Sequence, residues 1–140
     1  MNEEVIYSIA RAYSFIDQDI SHFLTQHNLT PAKFNILLTV KHEGKDKGIA
    51  QNKISRLLLV TISNISRMID KLEKDGYVQR LAKAGDRRVN LIMITRNGSV
   101  LLDEIWPYYT ERVNNLVSSH FSDLEKQKII NLLQRLQKKE

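Results

Sequence analysis

The most constraining feature of this 140-residue sequence is a pair of short helical patterns separated by only a few residues. The apolar positions are Ile54, Leu57 and Leu58 in the first pattern, then Ile65, Met68, Ile69 and Leu72 in the second. Gly76 follows where a helix C-cap is expected. Two β-prone runs come next, at 77–81 and 89–95, and residues 82–88 between them include a Gly-Asp pair suited to a tight turn. This order predicts a helix-turn-helix followed by a β-hairpin, hereafter the wing.

Residue types within the helix pair fit the contacts that a helix-turn-helix needs. Apolar side chains must lie where the two helices cross, and the residues at those positions are Ile54, Leu58, Val60, Ile65 and Met68. Ser55 provides a small side chain at the closest approach of the helices. Thr61 can cap the second helix by accepting a hydrogen bond from a backbone N–H.

The segments on either side of this unit are predicted to be helical. Apolar residues recur every three or four positions between residues 5 and 24, and Thr30-Pro31 begins a second helix that a loop at 41–48 ends. After residue 98 the helical pattern returns, with Pro107 as a kink or break. Ser122 and Glu125 form a capping box that opens a final helix. The predicted fold is mainly α, with about six helices and one small hairpin.

The terminal helices carry more apolar surface than a chain of this size can bury alone. We expect a homodimer to cover the surplus, since closed two-fold assemblies are common. The alternative is that these stripes pack on the central unit of the same chain.

Composition excludes several classes of protein. The sequence has no cysteine, which excludes disulfides and thiol chemistry, and its longest apolar runs are four residues, against about 20 for a membrane span. Charged residues within the first 25 positions argue against a signal peptide, so we expect a cytoplasmic protein with no membrane partner. Four scattered histidines suggest no metal site, and no catalytic constellation or cofactor motif is present. We therefore expect neither an enzyme nor a cofactor.

Positive charge is concentrated in the middle of the chain. Residues 45–96 hold twelve basic and five acidic residues, a net charge of +7, whereas the whole chain carries +5. A basic segment between neutral or acidic ones is typical of a nucleic-acid-binding unit. The alternative is an ordinary solvated basic surface.

The second helix of the pair presents residues suited to double-stranded DNA. Short Ser63 and Ser66 allow close approach, Ile62 suits a thymine methyl, and Arg67 can reach a guanine edge or a phosphate. Asp70 on the same face should point away from the DNA backbone or repel it. The predicted contacts of this helix are Thr61, Ile62, Ser63, Asn64, Ser66 and Arg67. The predicted phosphate contacts beside it are Lys53, Arg56, Lys71 and Lys74. A solvated helix face is the alternative for all of them.

The predicted tip of the wing is basic. Lys83, Arg87 and Arg88 lie there, and an arginine at such a tip suits the narrow minor groove of DNA. Asp86 can orient the Arg88 guanidinium by a charge-assisted hydrogen bond. Plain turn chemistry explains Asp86 equally well.

Taken together, residues 29–100 resemble the MarR family of bacterial transcriptional regulators. The motifs that carry the resemblance are Leu29-Thr30-Pro31-x-x-Phe34-x-x-Leu37, Ile54 to Val60, Ile69-Asp70-x-Leu72-Glu73-x-x-Gly76-Tyr77-Val78-x-Arg80, Asp86-Arg87-Arg88 and Thr95-x-x-Gly98. The resemblance implies a homodimer in which residues 1–29 and 99–140 form the dimerisation region and residues 30–98 form the winged helix-turn-helix, all within one compact chain. It also implies that residues 61–67 enter the major groove and Arg88 the minor groove of a pseudo-palindromic operator.

The family resemblance further implies a repressor that a small amphipathic ligand releases from DNA. Tyr13, Phe23, Trp106, Tyr108 and Tyr109 are candidates for lining a ligand pocket, although aromatic residues at helical spacing are more often core. Leu59 departs from the family pattern, because small residues or glycine are usual in the turn. The competing function is a winged-helix docking module for another protein, without specific DNA binding.

Overall fold

The computed structural model describes residues 1–138, which form six α-helices and one small antiparallel sheet. The elements in chain order are α1 (Asn2–Thr25), α2 (Pro31–Thr39), a π-helical turn (Val40–Gly44), β1 (Ile49–Ala50), α3 (Gln51–Leu58), α4 (Ile62–Lys74), β2 (Val78–Lys83), β3 (Asp86–Ile94), α5 (Arg96–Ser118) and α6 (Asp123–Gln137). The predicted fold class is confirmed, with α3, α4 and the β2–β3 hairpin forming the winged helix-turn-helix.

Side-chain caps determine where several of these helices begin. The Thr30 side chain accepts from the backbone N–H of Lys33 at 3.2 Å, and Pro31 occupies the first helical position. At the start of α6, Ser122 and Glu125 form the predicted capping box. The same contacts to Ser122 lower the pKa of the Glu125 carboxyl, because they favour its ionised form.

Gly76 ends α4 and turns the chain into the wing. Its φ of +82° lies in the left-handed region, its N–H donates to the Glu73 carbonyl at 3.0 Å, and the Tyr77 N–H donates to the Leu72 carbonyl at 2.9 Å. These two bonds are a Schellman motif, which satisfies the last carbonyls of the helix. The predicted C-cap is therefore confirmed, and α4 passes directly into β2.

Three predicted details are wrong. The sheet has a third strand, since Ile49 and Ala50 pair with Ile92 and Leu91, and two residues are too few to show a strand period. The wing strands extend into the predicted 82–88 loop, leaving only residues 84–85 as the turn. Residues 40–44 continue α2 as a π-helical turn rather than a loop. Helix α5 continues through Pro107, so a kink rather than a break stays the prediction there.

The described part of the chain divides into two compact units, with the boundary between residues 104 and 105. In the first unit α2 contacts α1, α3 and α4, and these helices enclose an apolar core. Its fully buried side chains include Leu24, Phe34, Ile36, Leu37, Ile54, Ile65, Ile69, Leu72 and Ile92. In the second unit α6 has no buried residue. Across residues 1–138, no helix combines the length and apolar character needed to cross a bilayer.

The start of α5 is joined to the end of α4 through Thr95 and Gly98. The Thr95 hydroxyl donates to the Gly76 carbonyl at 2.5 Å and accepts from the Gly98 N–H at 3.1 Å. A Cβ atom at position 98 would overlap the Tyr77 carbonyl oxygen and lie 2.9 Å from Ile94 Cγ1. Glycine is therefore required there by the close approach of two backbones.

Gly98→Ala should lower the free energy of unfolding by about 2–3 kcal/mol, because backbone atoms must shift to admit the methyl group. Urea denaturation at fixed protein concentration measures this change. Asn97→Ala is the matched control, since Asn97 is exposed in the same helical turn and its loss should cost less than about 0.5 kcal/mol. Equal stability of the two variants would contradict the close approach.

Candidate nucleic-acid interface

Ser55 fixes the turn between α3 and α4 from inside. Its side chain is only 9% exposed, and its hydroxyl donates to the Val60 carbonyl while the Val60 N–H donates back to the Ser55 carbonyl at 3.2 Å. A larger residue would not fit at this point without separating the helices. The apolar crossing residues Ile54 and Ile65 are both fully buried, as the sequence predicts.

Leu59 occupies the turn in a left-handed conformation. Its φ and ψ are +55° and +40°, and its side chain is 93% exposed. An L-residue is strained in this conformation because its Cβ atom lies too close to the following carbonyl oxygen, and an exposed leucine gains no packing in return. The unusual residue noted from the sequence is therefore accommodated at a cost in conformational energy.

Leu59→Gly should raise the free energy of unfolding by about 0.5–1 kcal/mol, since relief of the left-handed strain exceeds the entropy cost of glycine. Leu57→Gly is the matched control, because Leu57 is also exposed but lies within α3, where glycine should cost about 1 kcal/mol. Thermal unfolding of both variants measures the difference. If Leu59→Gly destabilises as much as Leu57→Gly, the strain is not real.

The α4 face that is turned away from the core carries most of the predicted DNA-contacting residues. Thr61, Ile62, Ser63 and Arg67 are exposed, whereas Asn64 and Ser66 are half-buried. Thr61 caps the helix, accepting from the Asn64 N–H at 3.4 Å, as predicted. Asn64 also accepts from the Arg67 guanidinium through its side-chain oxygen. Asn64 thus holds Arg67 along the helix surface in the DNA-free chain.

Asp70 forms an ion pair with an arginine at the base of the wing, a contact that the sequence did not predict. Its carboxylate lies 2.6 Å from the Arg80 guanidinium, which also contacts Glu73 at 3.1 Å. Sequence reasoning missed Arg80 as a site residue and used it only as part of a motif. The sequence does contain a signal for this contact. An arginine near the start of β2 follows a helix whose last two turns carry two acidic residues, Asp70 and Glu73.

The wing presents its three predicted cations to solvent. Lys83, Arg87 and Arg88 are exposed, as is every residue from 81 to 88, but Arg87 and Arg88 belong to strand β3 rather than to a loop. Of the two explanations that the sequence left open for Asp86, turn chemistry has support from the structure. The Asp86 carboxylate accepts from the backbone N–H of Arg88 at 3.0 Å, a contact that shapes the turn and leaves the guanidinium side chain unpaired with it.

Four further predicted cations lie on the helix pair, two on α3 and two on α4. Arg56, Lys71 and Lys74 are exposed. Lys53 lies 3.8 Å from Glu43, and both side chains are 51% exposed. An ion pair at that distance and exposure is weak and screened by salt, so Lys53 remains available to a phosphate.

A cleft of about 130 Å³ lies between the start of α3 and strand β3. Its lining residues are Ala50, Gln51, Asn52, Arg88, Val89 and Asn90. Sequence reasoning missed Gln51, Asn52 and Asn90, because the cleft exists only through the pairing of β1 with β3. Its polar lining places amide and guanidinium donors from two elements around one small space.

The aromatic residues predicted to line a ligand pocket have different environments. In the first unit Tyr13 is 68% exposed and Phe23 is buried. In the second unit the Trp106 and Tyr109 rings lie 5.7 Å apart, and Tyr108 is exposed. Burial raises the pKa of the Tyr109 hydroxyl. Among residues 1–138, no group of three or more metal-ligating side chains has been brought together.

Two helix-turn-helix regulators are similar in sequence to most of this chain. The chain is 31% identical to the HTH-type transcriptional regulator MhqR of Bacillus subtilis over 110 residues, which are 79% of this chain and 74% of MhqR. It is 28% identical to the HTH-type transcriptional regulator PecS of Dickeya dadantii over 134 residues, which are 96% of this chain and 80% of PecS. The class is therefore that of helix-turn-helix transcriptional regulators rather than enzymes. The MarR family model matches residues 29–89, and the chain belongs to the MarR family.

Solved structures agree on the fold. A mutant MarR from Escherichia coli complexed with operator DNA superposes with a TM-score of 0.88 at 20% identity, covering 95% of this chain and 93% of that one. CouR from Rhodococcus jostii RHA1 bound to p-coumaroyl-CoA gives a TM-score of 0.82 at 19% identity, covering 96% and 92%. The resemblance stated from the sequence motifs is confirmed.

Proposed function

We propose that this protein regulates transcription as a homodimer that binds a pseudo-palindromic DNA operator. The observation that carries the proposal is the joint exposure of the outer face of α4 and of the wing cations, in a fold that the operator-bound MarR shares. In this proposal the exposed residues at the start of α4 read base edges in the major groove. Arg88, with Lys83 and Arg87, contacts the minor groove and its phosphates.

Exposed apolar side chains support the homodimer. On α1 they include Val5, Ile6, Tyr7, Phe15 and Ile16, and on α6 they include Leu124, Ile130, Leu132, Leu133 and Leu136. Two helices with this much uncovered apolar surface are unusual in a monomer. A two-fold pairing of residues 1–29 and 99–140 would cover them and would place two α4 helices on half-sites about one DNA turn apart.

Repression with release by a small amphipathic ligand is the mode of action we favour. CouR, with the same fold, binds p-coumaroyl-CoA, a ligand with aromatic and charged parts. Tyr13, Phe23, Trp106 and Tyr109 are the candidate aromatic contacts for such a ligand in this chain. Because the proposed partner is genomic DNA, the protein would act in the cytoplasm.

Arg88→Ala should weaken operator binding about tenfold and reduce the dependence of log affinity on log salt by about one, without unfolding the protein. Fluorescence anisotropy with a labelled duplex at several salt concentrations measures both quantities. Arg96→Ala removes an exposed cation that belongs neither to the proposed DNA contacts nor to the proposed dimer surface, and it is the matched control. Unchanged binding of Arg88→Ala would remove the wing from the mechanism.

Arg67→Ala should change which base is preferred at one position of each half-site, since a good base contact is worth about 1–3 kcal/mol. Competition among duplexes with single base changes measures this preference. A loss of affinity that is equal for all duplexes would show that Arg67 contacts phosphate only.

Sedimentation equilibrium should give twice the chain mass at micromolar concentration. Replacing exposed Ile6 and Leu136 by Asp should shift the mass toward that of one chain, because charges resist burial in an apolar interface. A wild-type protein that remains monomeric at all concentrations would contradict the homodimer and favour a docking module for another protein.

A further inference from the structure

Arg80 contacts α4 at three residues, which lie three or four positions apart along the helix. Its Nη2 lies 2.6 Å from Asp70 Oδ1 and donates to the Ser66 carbonyl at 3.3 Å, and its Nη1 lies 3.1 Å from Glu73 Oε1. The Arg80 backbone N–H adds a bond of 2.9 Å to Glu73 Oε2. Residues 66, 70 and 73 are spaced as one face of a helix, so a single planar guanidinium spans that face.

Arg80 is also the last residue of β2 that is half-buried rather than exposed. Its side chain is 20% exposed, whereas every residue from 81 to 88 is exposed. The outer half of the wing therefore lacks a core of its own, and a two-stranded ribbon has little stiffness alone. The direction of the wing is set at its base, where Val78 and Ile92 are buried and Arg80 binds α4.

We infer that Arg80 is a positioning residue that fixes the wing relative to α4, so that Arg88 and Arg67 reach the two grooves of DNA together. The predicted effect on DNA binding rests on the proposed function. The fixed orientation of the wing rests only on the contacts of Arg80 described above. Bidentate and backbone contacts from one arginine define an orientation better than a single charge pair does.

The geometry has a test that involves no DNA. The natural sequence has no cysteine, so Lys71→Cys on α4 and Lys83→Cys on the wing, both at exposed sites, can carry one spin label each. Doubly labelled chains diluted with unlabelled protein report the distance within a chain by pulsed electron resonance. The chain with Arg80 should give a narrow distribution of label-to-label distances. Arg80→Gln should broaden that distribution at a temperature well below unfolding.

The Lys33–Asp75 ion pair supplies a matched control for this measurement. The Lys33 side chain, on α2, is 17% exposed, similar to that of Arg80. Its Nζ lies 3.6 Å from the carboxylate of Asp75, at the end of α4. Lys33→Gln should keep the narrow distribution, because Lys33 does not touch the wing. A narrow distribution in Arg80→Gln would overturn the inference, whatever the protein does with DNA.

The DNA test asks whether Arg88 still contributes when Arg80 is absent. Arg88→Ala should cost about tenfold in affinity in the natural background but less than about threefold in Arg80→Gln, since a misdirected wing has no contact to lose. Arg67→Ala should cost the same in both backgrounds. General destabilisation of the fold would not remove the contribution of Arg88 selectively, and an undiminished Arg88 effect in Arg80→Gln would overturn the inference.

The competing explanation is that Arg80 only neutralises the charges of Asp70 and Glu73. Arg80→Gln would then weaken DNA binding because it leaves these two carboxylates unpaired beside DNA. The triple variant Asp70→Asn, Glu73→Gln, Arg80→Gln removes those charges with the cation. Under our inference the contribution of Arg88 stays lost in this variant, and its return would show that Arg80 only neutralises Asp70 and Glu73. If the natural protein binds no DNA but Arg80→Gln still broadens the distance distribution, the proposed function fails while the positioning role stands.

Discussion

The apolar packing of α3 and α4 on each other and on α2 is the contact on which the interface depends. Ile54, Ile65 and Ile69 are fully buried in it, and their removal from water fixes the rotation of α4 about its own axis. That rotation alone decides that Ile62, Ser63 and Arg67 face outward. The Ser55 bonds to Val60 hold the turn that makes this packing possible, and the Schellman end at Gly76 directs the chain from α4 into the wing.

The positive charge of the proposed DNA-binding surface depends on how the acidic residues of the middle segment are paired. The middle of the chain carries a net charge of +7 despite five acidic residues, and four of those acids accept contacts that withdraw them from the basic surface. Asp70 and Glu73 pair with Arg80, Asp75 pairs with Lys33, and Asp86 accepts a backbone N–H in the turn of the wing. The cations named as DNA contacts therefore face solvent without nearby carboxylates cancelling most of their field, apart from the weak pair of Lys53 with Glu43.

The sequence allowed prediction of the features that depend on local chemistry. The helix start at Thr30-Pro31, the caps at Thr61 and Ser122, and the glycine end of α4 depend on residue types at fixed short spacings, and all are present. Of the predicted crossing residues, Ile54 and Ile65 are buried, whereas Leu58, Val60 and Met68 are half-buried. Features that depend on contacts between distant residues were missed. Strand β1 exists only through pairing with β3, the cleft at Arg88 exists only through that pairing, and the role of Arg80 requires β2 to lie against α4. Position in sequence alone does not determine such contacts.

The central claim is that two copies of this winged helix-turn-helix recognise a specific DNA sequence. Its most direct test is selection of duplexes from a random library with the purified protein, followed by titration of the selected duplex against salt. We predict a pseudo-palindrome with half-sites about one helical turn apart, occupied by two chains, with affinity that falls steeply as salt rises. No enrichment over bulk DNA at physiological salt would contradict the account.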